Sequence, residues 1–359
     1  MGGRKQTMAP SDLCDPELVP THTTVAARSV AAWVQRHYGL AVEHCALIRR
    51  GLNDNYALRV AGGARHVARL YTLRPRGPFN VEFETALLAH LQGRGVGVAA
   101  SVDTAAGGPH VRLQCPEGER ALALFHHVDG AVPDALDEFA ATGEALARLH
   151  AAARDYAGPP SLYPLDGHGL AGRTLAWLRA YPGLDARVLA SYESLIGALL
   201  DELAAAEPTL TRVLCHGDTH GFNNHVVADD AGGKRAVFFD FDDAGPGFLA
   251  YDLGVMPWSY LFRKGLREID DTLRERWAHY LAGYRAAGGV VGDADLAALP
   301  LFIQLRHLWN LGEAVGRLHH WGTSAAPEDW LRKQVEVMAA WKTLDLGPAS
   351  ADSGVGPPV

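Results

Sequence analysis

Cysteine is scarce in this sequence. Cys14, Cys45, Cys115 and Cys215 are the only four in 359 residues, widely spaced and without a C-x-x-C pair. That excludes a disulfide framework and points to a reduced, cytoplasmic compartment. Long apolar runs are absent too: no stretch of 18 or more apolar residues occurs, so no membrane-spanning helix is expected. Arg4 and Lys5 stand near the N-terminus, but no apolar signal core follows before Pro20, and Gln6 sits where myristoylation needs Ser or Thr. Positive charge is thin. The formal net charge is −8, which argues against a general nucleic-acid binder and mildly favours a cationic small molecule by steering. No lysine lies between Lys5 and Lys234. A cation that meets phosphates from the N-terminal half must therefore be Arg or His.

What is present describes a two-lobed protein. At 48% hydrophobic residues the chain can bury sizeable cores. Residues 1–22 read as a flexible N-terminus and 347–359, rich in Gly and Pro, as a disordered tail. Residues 23–128 mix helix and strand. Thr24 to Tyr38 is helical, and Tyr56 to Val60 and His66 to Tyr71 are strands joined through Ala61, Gly62, Gly63 and Ala64. Val81 to Leu91 has helical spacing, and Val111 to Leu113 and Ala121 to Phe125 read as further strands. Asp129-Gly130 marks the boundary. Residues 129–346 are mainly helical, with one helix ending near His150, another over Leu189 to Leu203, and several between 258 and 343. Short strands at 213–214, 226–227 and 236–239 frame the polar motif described next. Trp258, Tyr260, Trp309, Trp321 and Trp330 are expected mostly in the core, with one or two lining a pocket.

That motif is His216-Gly217-Asp218-Thr219-His220-Gly221-Phe222-Asn223, followed by Asp240 at the end of the apolar strand Ala236 to Phe239. A His, an Asp two residues on and an Asn five after that reproduce the spacing of the protein-kinase catalytic loop, H-x-D-x-x-x-x-N. Phosphoryl transfer asks little covalent work of a protein, so placement and charge are what its side chains supply. Hard oxygen donors in this order suit Mg²⁺, which keeps some of its waters.

With H-G-D-x-H-x-x-N and a strand ending in Asp, the chain resembles the aminoglycoside phosphotransferase/choline kinase family. Asp240 to Ala244 with Tyr251-Asp252-Leu253 is most similar to the bacterial stress-response kinase and type II homoserine kinase branches. The resemblance implies an α+β, bilobal protein-kinase-like fold, with a small mixed β-sheet N-lobe that binds nucleotide and a large helical C-lobe that carries the catalytic loop and acceptor site. It implies Mg²⁺-dependent transfer of the γ-phosphate of ATP (or GTP) to a small-molecule hydroxyl, on an aminoglycoside, amino alcohol or sugar, without nucleic acid or membrane. Asp218 would be the catalytic base, and Asn223 and Asp240 the metal ligands. Asp252 would brace the loop, His216 would brace it from within, His220 would line the site and Asp242 would lie near the metals. Gly51 to Asn55 resembles the loop over the nucleotide, and Leu122 to His126, through Leu124 and His126, the hinge whose backbone meets adenine. Arg69 stands where kinases carry a phosphate-binding Lys. Its partner would be Glu84, with Glu82 as the rival.

Other readings use the same residues. His216 and His220 are four apart, as in a helical zinc pair, but Gly217 and Gly221 oppose a helix there. His225 reads as a surface or strand residue. Asp218, His220, Asn224 and His225 mimic pieces of a metallophosphoesterase compressed too tightly to form its metal cage. Asp240-Phe241-Asp242 mimics a haloacid-dehalogenase strand too far along the chain. A Ser/Thr protein kinase of the stress-response type and a non-catalytic pseudokinase are the alternatives within the same fold.

Overall fold

The computed structural model describes residues 17–228 and 232–347. The expectations for Arg4, Lys5, Gln6, Cys14, most of the N-terminal segment and the tail beyond Gly347 lie outside the described residues. Helix α1 (Ala27–Tyr38) turns Val30, Val34 and Tyr38 inward at the spacing of one helical face and stops at Gly39, which takes φ 70°. Strands β1 (Val42–Arg50), β2 (Asp54–Val60) and β3 (Arg65–Leu70) follow as successive hairpins. Gly62 and Gly63 both lie at positive φ between β2 and β3, the conformation that tight hairpin turns use. Helix α2 (Val81–Gly93), the short β4 (Ser101–Val102), β5 (His110–Cys115) and β6 (Gly118–His126) complete a six-stranded sheet. Its order is β1-β2-β3-β6-β4, with β5 also on β6, and it is antiparallel throughout rather than mixed. Alternation along β6 sends Leu122 and Leu124 toward α1 and Ala123 and Phe125 toward α2. At the end of the N-terminal segment expected over 1–22, the described residues make contacts with the sheet. His22 Nε2 lies 2.9 Å from buried Asp54, and the Thr23 amide donates to Glu117.

The C-lobe comprises α3 (Leu136–Ala153), α4 (Arg173–Arg179), α5 (Ala186–Ala206), β7 (Arg212–Cys215), β8 (Asn224–Ala228), β9 (Lys234–Phe238), β10 (Gly245–Phe248), α6 (Leu249–Lys264), α7 (Asp271–Ala286), α8 (Asp293–Ala297), α9 (Leu299–Val315), α10 (Leu318–Trp321) and α11 (Glu328–Trp341). Asp185 caps α5 by accepting from the Arg187 and Val188 amides, and Asp270 caps α7 by accepting from Leu273. Helices α3 and α7 touch backbone to backbone. A Cβ on Gly143 would fall 1.9 Å from the Tyr280 carbonyl oxygen, and one on Gly283 2.0 Å from that of Ala140. Helix α9 buries Leu301, Phe302, Ile303, Leu305, Leu308 and Leu311 together with Gln304, Arg306, His307 and Glu313, so it is covered on nearly every face, as a central helix is. The four short strands pair as β7 with β10 and β8 with β9. Residues 216–223 connect β7 to β8, and residues 239–244 connect β9 to β10, so the two motif segments are brought side by side. Among the described residues no helix is long and apolar enough to cross a membrane.

Candidate active site

The loop after β7 is held from within by buried groups. His216 is fully buried; its Nδ1 accepts from the Asp218 amide (3.2 Å) and its Nε2 reaches the Phe239 carbonyl (3.2 Å). Burial pushes the imidazole pKa down, so it stays neutral, as an acceptor at Nδ1 requires. Asp252, at the start of α6, accepts from the amides of His216 (2.7 Å) and Gly217 (2.9 Å), with His150 Nε2 2.9 Å away. Burial opposes that charge, but His150 and His216 and these amides hold Asp252 below the usual carboxylate range. Thr219 Oγ1 donates back to the Asp252 carbonyl (2.6 Å). Gly217 sits at φ 87°, and a Cβ there would lie 2.1 Å from the Asp243 carbonyl, so only glycine lets the loops approach.

Asp218, Asn223 and Asp240 converge on the cleft between the lobes. Asn223 Nδ2 donates to the Asp218 carbonyl and to its Oδ2, both at 3.0 Å, and among the described residues no hydrogen bond engages its amide oxygen. His220 Nε2 lies 3.4 Å from the same Oδ2. Asp240 has φ 69°, the one non-glycine residue at positive φ among those described. Burial and the neighbouring charges of Asp242, Asp243 and Asp218 push its carboxyl up, against the pull of Arg69. Arg69 is 6% exposed. It donates to Glu84 (2.8 Å) and to Asn55 Oδ1 (3.3 Å) and lies 3.1 Å from Asp240. Burial works against its charge, yet Asp240 and Glu84 raise the guanidinium pKa further. Glu84 also accepts from the Tyr71 hydroxyl and the Phe241 amide. Glu82 is exposed and paired with Arg112 instead. The two glutamates lie on different faces of α2, since two helical residues span about 200°.

Two cavities meet here. One, of about 350 Å³, is walled by Ile48, Val67, Phe125, His127, Val128 and Phe239. The other, of about 320 Å³, runs past Asp218 to Trp258, Ser259, Trp309 and Asn310. They share Arg49, Asn55, Asn223 and Asp240. His126 lines the first cavity, but Leu124 does not reach it. Leu124 packs in the core under α1, and its backbone lies between β3 and β4. The strand therefore runs through the whole of the expected hinge, Leu122 to His126, and the stretch that lines the cavity is Phe125 to Val128. His225 sits on this wall too, with Nδ1 3.1 Å from the Val128 carbonyl.

Several groups here escape a reading of sequence. Arg74 and Arg76, just past β3, ion-pair with Asp242 and Asp243, and Arg74 also with Glu313. Asn53, in the loop after β1, donates to Asp242 (3.1 Å). Asp242 is thus neutralised by two guanidiniums rather than left open toward a metal. Arg306 of α9 donates to Asp218 Oδ1 (2.6 Å). The signal for that last group was available: Arg306, Trp309, Asn310 and Glu313 recur at helical spacing within an apolar run, and buried charge in such a run needs a partner.

Behind the cavity that runs past Asp218, Trp258 Nε1 donates to His307 Nδ1 (3.3 Å), and His307 Nε2 lies 2.9 Å from Gln334 Oε1. Burial pushes His307 down to about 4. The unfolded chain takes up that proton near pH ~6.5 while the native state does not, so stability falls as pH drops from about 6.5 toward 4. Melting temperature is expected to decline across that window, less steeply in His307→Gln. An equal slope in both proteins would contradict this assignment.

The phosphotransferase enzyme family APH matches residues 45–290. The chain belongs to this family. An uncharacterized protein of Deinococcus radiodurans is 34% identical over 89% of this chain and 91% of its own. A homoserine kinase of Rhodospirillum rubrum is 29% identical over 79% of this chain and 84% of its own. Among solved structures, amicoumacin kinase hAmiN in complex with AMP-PNP, Ca²⁺ and Ami superposes with a TM-score of 0.70 at 20% identity, covering 90% of this chain and 96% of that one. A microcompartment-associated aminopropanol kinase gives 0.65 at 23% identity, over 88% and 95%. These likenesses establish the bilobal kinase-like fold of this APH phosphotransferase.

Proposed function

We propose that this protein transfers the γ-phosphate of ATP, with Mg²⁺, to a hydroxyl of a small molecule. The observation that carries the reading is the junction of the two cavities at Asn223 and Asp240, with Asp218 on the acceptor side alone. The apolar cavity has the character of a base-binding slot. Arg69, fixed by Glu84, and Arg49, which borders both cavities, are the cations available to phosphates, in keeping with the absence of lysine between Lys5 and Lys234.

The donor set fits a hard divalent ion. The Asn223 amide oxygen is left over once its nitrogen is engaged, and Asp240 stands where neighbouring carboxylates already crowd negative charge. Asn223 and Asp240 would hold Mg²⁺, which when bound neutralises charge on the phosphates. The protein's own part is to seat the acceptor so that its hydroxyl faces Asp218, which accepts the proton as the oxygen meets the γ-phosphorus. Free thiols at Cys45, Cys115 and Cys215 support a cytoplasmic setting. A cavity walled by α6 and α9 supports a small acceptor over a protein one.

The lining also bears on acceptor charge. Asp218 pairs with Arg306, and Asp242, Asp243 and Glu313 share Arg74, Arg76 and Arg317. Among the described residues Arg263, stacked 3.7 Å over Phe222, has no carboxylate partner. This supports an acceptor bearing an acidic group, the opposite sign to that suggested by net charge. Homoserine and 3-aminopropan-1-ol differ only by the carboxylate. With γ-labelled ATP, kcat/KM for homoserine is expected to exceed that for the amino alcohol by about tenfold or more, the scale of one charge-assisted hydrogen bond. Arg263→Gln should remove most of that ratio. A preference for the amino alcohol, or a ratio unmoved by Arg263→Gln, would overturn the acidic-acceptor reading.

A further inference from the structure

Arg306 is 2% exposed on a helix whose buried residues are mostly apolar. Desolvating a guanidinium is costly, and a hydrophobic side chain of similar volume would usually stabilise such a position at least as well. Among the described residues its Nε has no hydrogen-bond partner, so packing alone does not account for the residue. What it does reach is specific. Nη2 donates to Asp218 Oδ1 (2.6 Å), and Nη1 donates to the Tyr251 hydroxyl (3.3 Å), which itself donates to the Gly217 carbonyl (3.1 Å). The guanidinium lies over Trp309 (4.2 Å) and Trp258 (4.6 Å), both of which border the acceptor-side cavity. Asn223 holds the other carboxylate oxygen, Oδ2, from the opposite side (3.0 Å).

We propose that Arg306 is a positioning residue for phosphoryl transfer. It fixes the rotation of the Asp218 carboxylate and links that carboxylate to the tryptophan wall against which the acceptor sits. This rests on the phosphotransferase reading above. In the step concerned, the acceptor oxygen bonds to the γ-phosphorus as the bond from that phosphorus to the bridging oxygen breaks. The broken bond's electron pair leaves on ADP, and the hydroxyl proton passes to Asp218. Arg306 neither gives nor receives a proton. Without it the carboxylate is held from one side only, by Asn223 and the more distant His220.

The test compares Arg306→Ala, Arg306→Lys and Arg306→Met with wild type, measuring melting temperature, affinity for AMP-PNP with Mg²⁺, and kcat and KM for ATP. The Met variant fills the space without charge and guards against mere failure to fold. All three are expected to bind AMP-PNP within about threefold of wild type while kcat falls about a hundredfold or more, the scale of an ångström-level misplacement. Millimolar guanidinium should restore part of the rate to Arg306→Ala and none to Asp218→Asn. A folded Arg306→Met with near-wild-type kcat would overturn the proposal. So would losses that track the unfolded fraction, with no guanidinium rescue. If wild type binds AMP-PNP but transfers no phosphate, or does not bind it, the phosphotransferase reading itself fails, apart from any comparison among the variants.

Discussion

Asp218→Asn is expected to lower kcat about a thousandfold while leaving AMP-PNP affinity within about threefold, as befits loss of a general base outside the nucleotide slot. The amide has nearly the same shape; its oxygen can still accept from Arg306, and Asn223 keeps its bond to the backbone carbonyl at position 218, so the loop geometry should survive. What it lacks is the charge and the capacity to take a proton. Arg306 would then be a buried cation without its counter-charge, and a lower melting temperature should accompany the kinetic loss. Single-turnover transfer and calorimetric titration with AMP-PNP separate the effects. Wild-type turnover in this variant would contradict the role of Asp218, and a parallel collapse of nucleotide binding would place Asp218 in the nucleotide site instead.

Asp240→Asn is the second large expectation. Asp240 holds φ 69°, a region that Asn adopts as readily as Asp, so this substitution changes charge without adding backbone strain. Asp240→Ala would confound the two. In wild type, nucleotide affinity should rise with Mg²⁺. In Asp240→Asn that rise should nearly vanish, and affinity at saturating Mg²⁺ should fall by about tenfold or more, comparable to losing a charge-assisted contact. Arg69, deprived of one of its two carboxylates, still has Glu84 at 2.8 Å, so the upper wall should remain in place. Titrating AMP-PNP at several Mg²⁺ concentrations decides it. An unchanged Mg²⁺ dependence would remove Asp240 from the metal site.

These expectations start from residues close in sequence, which is why they were legible there. The spacing from His216 to Asn223 is a property of one loop, and turn chemistry at Gly217 follows from local geometry. The β2–β3 hairpin was readable from two adjacent glycines. Arg69 and Glu84 were readable through the resemblance, which matches Arg69 to the strand position of the kinase lysine and Glu84 to the helix pattern it shares with Leu88 and Leu91. The choice of Glu84 over Glu82 is one of helix face, which the structure supplies. Strand β1 was not readable, because as an exposed edge it buries none of its residues fully and carries little hydrophobic alternation. That the expected hinge, Leu122 to His126, lies within β6 was not readable, because the pairing of His126 with His66 across the sheet is a tertiary fact. Arg74, Arg76 and Arg306 meet Asp242, Asp243 and Asp218 from 88 to 169 residues away, beyond any local pattern.

The most direct measurement is phosphorus NMR of wild type incubated with ATP, Mg²⁺ and a panel of hydroxyl compounds that includes homoserine, with Asp218→Asn as the blank. The account predicts that the γ-phosphate signal is replaced by a phosphomonoester signal and ADP, only with Mg²⁺ and only in wild type. Release of inorganic phosphate alone, or the same product from Asp218→Asn, would contradict it.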